Sequence, residues 1–123
     1  MPRKAEQQSI DRLTEIVDAV LDDLKAEAIV RLDVRHLTTV TDVMYIATGR
    51  SNRHVRAVAH ALIERCKENG ISPLGVEGQD SGEWVLIDLA DVVVHVMLPK
   101  IREFYDLEKL WDLEDVGDAG RTS

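Results

Sequence analysis

The sequence predicts a single α/β (α+β) domain, one mixed sheet of about five strands with flanking helices. Three observations carry that class. An ungapped helical stripe of apolar residues opens the chain. A nearly continuous apolar run, VMYIAT, leads through Gly49 into a second apolar stripe of helical period. Two further runs rich in Val and Ile then follow within one turn of each other.

In the first stripe Ile10, Leu13, Ile16, Val17, Val20, Leu21 and Leu24 share one helical face. Ser9 is placed as its N-cap and Asp11 in its first turn, so the helix is expected over about Ile10–Lys25, with residues 1–8 flexible. Residues 28–34 alternate Val30, Leu32 and Val34 with Arg31 and Asp33, the period of a strand with one wetter face. Val43–Thr48 reads as an interior strand. Ser51 or Asn52 then caps a helix whose apolar set is Val55, Val58, Ala59, Leu62, Ile63 and Cys66, and Asn69-Gly70 stops it. The connection onward suggests a crossover. Short strands are expected at Leu74–Glu77, Glu83–Asp88 and Asp91–Met97, the last two joined by a Leu89-Ala90 hairpin loop. Pro99 suits the first position of a last helix, with Phe104, Leu107, Leu110 and Trp111 packing back onto the sheet. Residues 112–123 are acidic and small, and a flexible tail is expected there, leaving residues 9–111 as the domain.

With 123 residues, 45% of them hydrophobic, the chain can bury a core without a metal or disulfide staple. The one cysteine, Cys66, sits in a helical apolar pattern and reads as a small core residue in a reducing compartment. The N-terminus shows no signal-peptide pattern and no run is long enough to span a bilayer, so a cytoplasmic protein is expected. A net charge of −8 opposes binding to bare nucleic acid, whose affinity comes largely from phosphate neutralisation. The charge is uneven: residues 31–73 carry seven Lys/Arg against four Asp/Glu, and residues 103–118 carry seven acids and only Lys109. An acidic end of this kind suits a basic protein partner, although plain solubility explains it as well.

Chemistry finds little support. His36, His54, His60 and His95 have no ligand spacing on one element and Cys66 has no CxxC partner, so no metal or other cofactor is expected. His95 shares a strand face with Val93 and Met97 and reads as a hydrogen-bonded, half-buried histidine. The turn Gly49-Arg50-Ser51-Asn52-Arg53-His54 offers N–H groups and positive charge to an anion, but it matches neither phosphate-loop pattern. Asp88 and Asp91 flank a turn and do not converge as metal-holding carboxylates. No GxSxG elbow is present. Trp84 opens a strand beside the polar loop Gly78–Gly82 and is either a core-edge plug or an exposed anchor, a residue type that can supply roughly 2 kcal/mol at an interface.

The segments GVEG (75–78), GEWVLID (82–88), DVVVHVM (91–97) and REFYDLEKLW (102–111) together resemble the ribosomal silencing factor family, also called Iojap. The resemblance extends upstream through LDV (32–34), IATG (46–49) and SNRHV (51–55), and covers about residues 10–111 in the family's order. Ala90 stands where many members have glycine, and residues 112–123 fall outside the pattern. The resemblance implies a nucleotidyltransferase-like fold without the catalytic carboxylates, and hence no enzyme. It further implies a translational repressor that binds the large ribosomal subunit through its ribosomal protein fourteen. Occupying the face that meets the small subunit would block subunit joining when nutrients are scarce, and the free protein would often be a homodimer. By the same carry-over Trp84 becomes a partner contact, with Asp80, Glu83 and Asp88 as acidic neighbours. Arg102, Tyr105 and Glu108 would join the same surface or the dimer contact. A role in large-subunit maturation and an altered nucleotidyltransferase stand as alternatives.

Overall fold

The structure, a computed structural model, describes residues 4–38 and 41–106, with side chains described from Ser9 onward. Its elements follow one another as α1 (Lys4–Asp23), β1 (Glu27–Asp33), β2 (Val43–Thr48), α2 (Asn52–Glu68), β3 (Gly75–Glu77), β4 (Trp84–Asp88), β5 (Val92–Met97) and α3 (Pro99–Tyr105). The strands form one mixed sheet in the order β1-β2-β5-β4-β3. Only β2 and β5 run parallel as neighbours; the other three pairs are antiparallel. β3 therefore runs parallel to β2 with two strands, β5 and β4, between them, and α2 supplies the crossover that the β-to-α unit suggested. All six residues of β2 are buried, as an apolar run between two neighbours should be.

α1 and α2 cover one face of the sheet. Ile10, Leu13, Ile16, Val17, Val20 and Leu21 from α1 meet Val55, Val58, Ala59, Leu62 and Cys66 from α2. Beneath them lie Val43, Tyr45 and Ala47 of β2, Val85 and Ile87 of β4, and Val92, Val94 and Val96 of β5. Truncating a side chain such as Leu62, fully buried here, would cost about 2–5 kcal/mol. The Tyr45 hydroxyl reaches out of this core and donates to Asp18 Oδ1 at 2.7 Å, tying β2 to α1. Burial and the Asp18 carboxylate both push its pKa up, so it stays protonated.

The element ends differ from expectation in three places. α1 begins at Lys4, so Ser9 lies inside the helix rather than capping it. Lys4-Ala5-Glu6-Gln7-Gln8 are all good helix formers and carry the helix into the segment expected to be flexible. At its other end Lys25 takes a left-handed conformation, with Ala26 N–H donating to Leu21 and Lys25 N–H to Asp22, a Schellman stop built without glycine. The β4–β5 loop is Ala90-Asp91, one residue later than expected. Leu89 is buried and its N–H bonds the Val92 carbonyl, while Asp88 Oδ1 accepts from Ala90 N–H at 2.8 Å. Ala90 carries φ +74 at the first loop position, where a type II′ turn favours glycine.

The third difference lies in α3. Phe104 is 79% exposed and Tyr105 53% exposed, so neither is packed into the core. α3 docks through Ile101 and through Arg102, whose guanidinium donates to the Ala28 carbonyl and to Thr48 Oγ1. Phe104 follows Arg102 by two positions, about 200° around the helix, and so points away from the sheet. The expected contacts of Leu107, Leu110 and Trp111, and the expected tail 112–123, lie outside the described residues. Among those residues no helix is long and apolar enough to cross a membrane.

Candidate functional site

Strand alternation puts Met44 and Ile46 of β2, Trp84, Leu86 and Asp88 of β4, and Val93, His95 and Met97 of β5 on the face opposite α1 and α2. Two helices cover the first face; among the described residues only seven-residue α3 lies over this second one. Val34, Met44, Ile46 and Met97 form a small buried cluster there, with Leu32, Trp84 and Ile101 half-buried against it. Leu86 and Val93 remain half-open.

Trp84 is the hinge of this surface. Its indole N–H donates to His95 Nδ1 at 2.9 Å, with ring centroids 5.9 Å apart. The Tyr105 ring also packs against Trp84, centroids 4.9 Å apart, and Phe104 stands edge-on to Tyr105 at 4.9 Å. The result is an aromatic row from the half-buried Trp84 to the exposed Phe104. His95 is 6% exposed, and burial lowers its pKa to about 4, so near neutral pH it is uncharged with the proton on Nε2 and Nδ1 free to accept.

The polar loop before Trp84 is clamped. Asn52 Nδ2 donates to the Ser81 carbonyl at 2.7 Å, and Arg56 donates to the carbonyls of Asp80 and Ser81. Ser81 Oγ in turn accepts from Glu83 N–H. Gly78 and Gly82 both have positive φ, and a Cβ on Gly78 would meet the Trp84 carbonyl oxygen at 2.0 Å. The loop thus holds the exposed Asp80 and Glu83 beside the start of β4.

The Gly49–His54 turn is occupied by its own side chains. Arg50 N–H donates to His54 Nδ1, His54 N–H to Ser51 Oγ, and Val55 N–H to the Ser51 carbonyl. His54 Nε2 bonds the Leu24 carbonyl at 2.7 Å, so this histidine ties the end of α1 to the start of α2. Within the fold, the N–H groups of Gly49, Arg50 and His54 are thereby taken up by the Met97 carbonyl, His54 Nδ1 and Ser51 Oγ.

The family model described as "Ribosomal silencing factor during starvation" matches residues 6–122. The chain belongs to the ribosomal silencing factor family. A relative from Chromobacterium violaceum, "Ribosomal silencing factor RsfS", is 46% identical over 102 residues, 83% of this chain and 84% of the relative. A crystal structure of a protein from the same organism overlays with a TM-score of 0.82 at 46% identity, covering 84% of this chain and 86% of that one. More distantly, the mouse "Mitochondrial assembly of ribosomal large subunit protein 1" is 37% identical over 83 residues, 63% of this chain and 36% of the mouse protein. The family match runs on through the acidic C-terminal residues that the sequence motifs left out.

Of the residues singled out from the ribosomal silencing factor signature, Trp84 and Tyr105 touch, and Asp80 and Glu83 sit at the loop beside them. Asp88 shares the face but stands about 13 Å along β4 from Trp84, its carboxylate engaged in the hairpin turn. Arg102 faces inward as the α3 anchor. Glu108 lies outside the described residues. Three contributors escaped the sequence: Phe104 as an exposed ring, Glu77 on the same face opposite Leu86, and Asn52 with Arg56 as the loop clamp. Glu77 alternates with Val76 in a recognisable strand, so the sheet register could have found it; the clamp spans distant segments and left no local signal.

Proposed function

We propose that the chain binds the large ribosomal subunit through its basic ribosomal protein fourteen, using the sheet face that carries Trp84. Seated there, it blocks the small subunit sterically and lowers translation when nutrients are scarce. The observation that carries this reading is the apolar sheet face, covered among the described residues by α3 alone and half-open at Leu86 and Val93, with its aromatic row and the carboxylates of Glu77, Asp80 and Glu83 at its edge. An aromatic anchor supplies affinity, and an acidic rim favours approach by a basic protein. Family membership supports the ribosome as target, and the net charge of −8 favours a protein contact over bare RNA. The mechanism requires occupancy of space and no bond-making, so the protein acts as a binder and not as an enzyme. An interface of standard size, about 1,600 Å² in total, would hold such a blocker.

Purified chain added to separated bacterial subunits should migrate with the large subunit on a gradient and reduce the joined-ribosome peak. Trp84→Ala should weaken both effects while retaining the native circular dichroism spectrum. Wild-type chain that leaves the joined peak unchanged would refute blocking. The name of the mouse relative favours a second reading, large-subunit assembly. Immature large subunits in a deletion strain, with normal joining of mature ones, would select it.

A further inference from the structure

We propose that His95 is a positioning residue for partner recognition: its Nδ1 accepts the Trp84 indole N–H and so sets the ring surface that Trp84 offers. The inference rests on the binding role given above and deepens it. Trp84 is half-buried at the sheet margin, and an indole has one polar atom, Nε1–H. If that N–H pointed outward, a partner closing over the ring would have to supply an acceptor or leave the donor unsatisfied, at a cost of about 1–3 kcal/mol. The 2.9 Å bond to His95 satisfies it within the fold. The partner then needs only an apolar surface, and the carboxylates at the rim are left to select charge.

The geometry also fixes the ring. Trp84 pairs with Met97 across the β4–β5 ladder, and His95 lies diagonally from it on the same face, within reach of a long aromatic side chain. His95 holds the nitrogen, and the Tyr105 ring packs against the indole with centroids 4.9 Å apart. A side chain held by two such contacts loses little rotamer freedom on binding, which favours affinity. Within β5, His95 replaces one residue of an otherwise apolar strand, VVVHVM, and Ile46 and Leu86 flank it on β2 and β4. An apolar residue would fit that neighbourhood at least as well for packing; what the imidazole adds is an acceptor at the indole nitrogen.

The test compares His95→Asn, whose Oδ1 can stand near the Nδ1 position, with His95→Gln and His95→Phe, which lack an acceptor there. Two readouts are taken on each full-length chain: the Trp84 indole ¹H–¹⁵N resonance, assigned by its loss in Trp84→Phe, and affinity for purified large ribosomal subunits. His95→Gln and His95→Phe should shift the indole resonance and weaken binding about tenfold. His95→Asn should restore both to within about threefold of wild type in affinity. If His95→Phe fails to fold, the Asn and Gln pair still separates an acceptor at the right atom from polarity alone. Wild-type affinity in the Gln variant, or equal loss in Asn and Gln, overturns the positioning role. Absence of binding by the unmodified chain overturns the ribosomal function itself, and an unmoved indole resonance in the Gln variant overturns the hydrogen bond independently of it.

Discussion

Three glycines provide a graded test of whether the loop before Trp84 has the tight geometry described. A Cβ on Gly75 in β3 would meet no atom within 4 Å, and its φ is not positive. Gly75→Ala should therefore be neutral or stabilise by about 0.5 kcal/mol, because alanine loses less backbone freedom on folding. Gly70, after α2, has φ +75 but equally open surroundings. Gly70→Ala should cost about 1 kcal/mol, the left-handed conformation alone. Gly78 combines φ +86 with a Cβ position 2.0 Å from the Trp84 carbonyl oxygen and 3.1 Å from its carbon, both backbone atoms of β4. The substitution must displace the start of that strand, adding roughly 1–3 kcal/mol to the conformational cost, for a total of about 3 kcal/mol. Equilibrium urea denaturation of the three variants beside wild type gives the order directly. A Gly78→Ala variant no less stable than Gly70→Ala would refute the close approach of this loop to β4.

His95 should make stability fall with acid: its folded pKa is lowered to about 4 and its unfolded value is 6.5, so the unfolded state holds more protons between those values. The effect is absent above the upper value and reaches about 3 kcal/mol once pH has dropped through the lower one, and His95→Asn should lose this component, as denaturation at pH 7 and pH 5 would reveal. Tyr45→Phe should cost about 1 kcal/mol in urea denaturation, since it deletes the 2.7 Å bond while the exposed Asp18 regains water. Asp18→Ala should cost about 1–2 kcal/mol because it leaves the buried hydroxyl without its carboxylate acceptor. Ala90→Gly should raise the thermal midpoint through a gain of about 0.5–1 kcal/mol, by relieving φ +74; a lowered midpoint would contradict the turn assignment.

Elements whose pattern is local were legible. β2 matches its expected bounds because an apolar run between two glycine- or polar-flanked ends has few other uses, and α2 does so because Ser51 caps it through His54 N–H. Long-range order was not legible: nothing in composition places β5 beside β2 with β4 and β3 beyond. The hairpin shows how a small error propagates. A Leu89-Ala90 loop would set Trp84 opposite His95, whereas the Ala90-Asp91 loop sets it opposite Met97 and leaves His95 on the diagonal. Because both registers keep Trp84 and His95 on one face, the surface was foreseeable and the hydrogen bond was not. Arg102 misled for another reason: a charged residue in an acidic C-terminal stretch reads as surface, yet its guanidinium finds a strand carbonyl and a threonine hydroxyl. Phe104 misled in the opposite sense, since an apolar ring reads as core when the docking side of a short helix is unknown.

The central claim is that the Trp84 face is the surface that meets the ribosome. An electron cryo-microscopy reconstruction of the full-length chain bound to isolated large ribosomal subunits tests it most directly. The sheet face bearing Trp84, Tyr105 and Phe104 should be seated on ribosomal protein fourteen, with Asp80 and Glu83 opposite basic side chains and the small-subunit docking surface obstructed. A bound chain that turns α1 and α2 toward the ribosome and leaves Trp84 in solvent would contradict it.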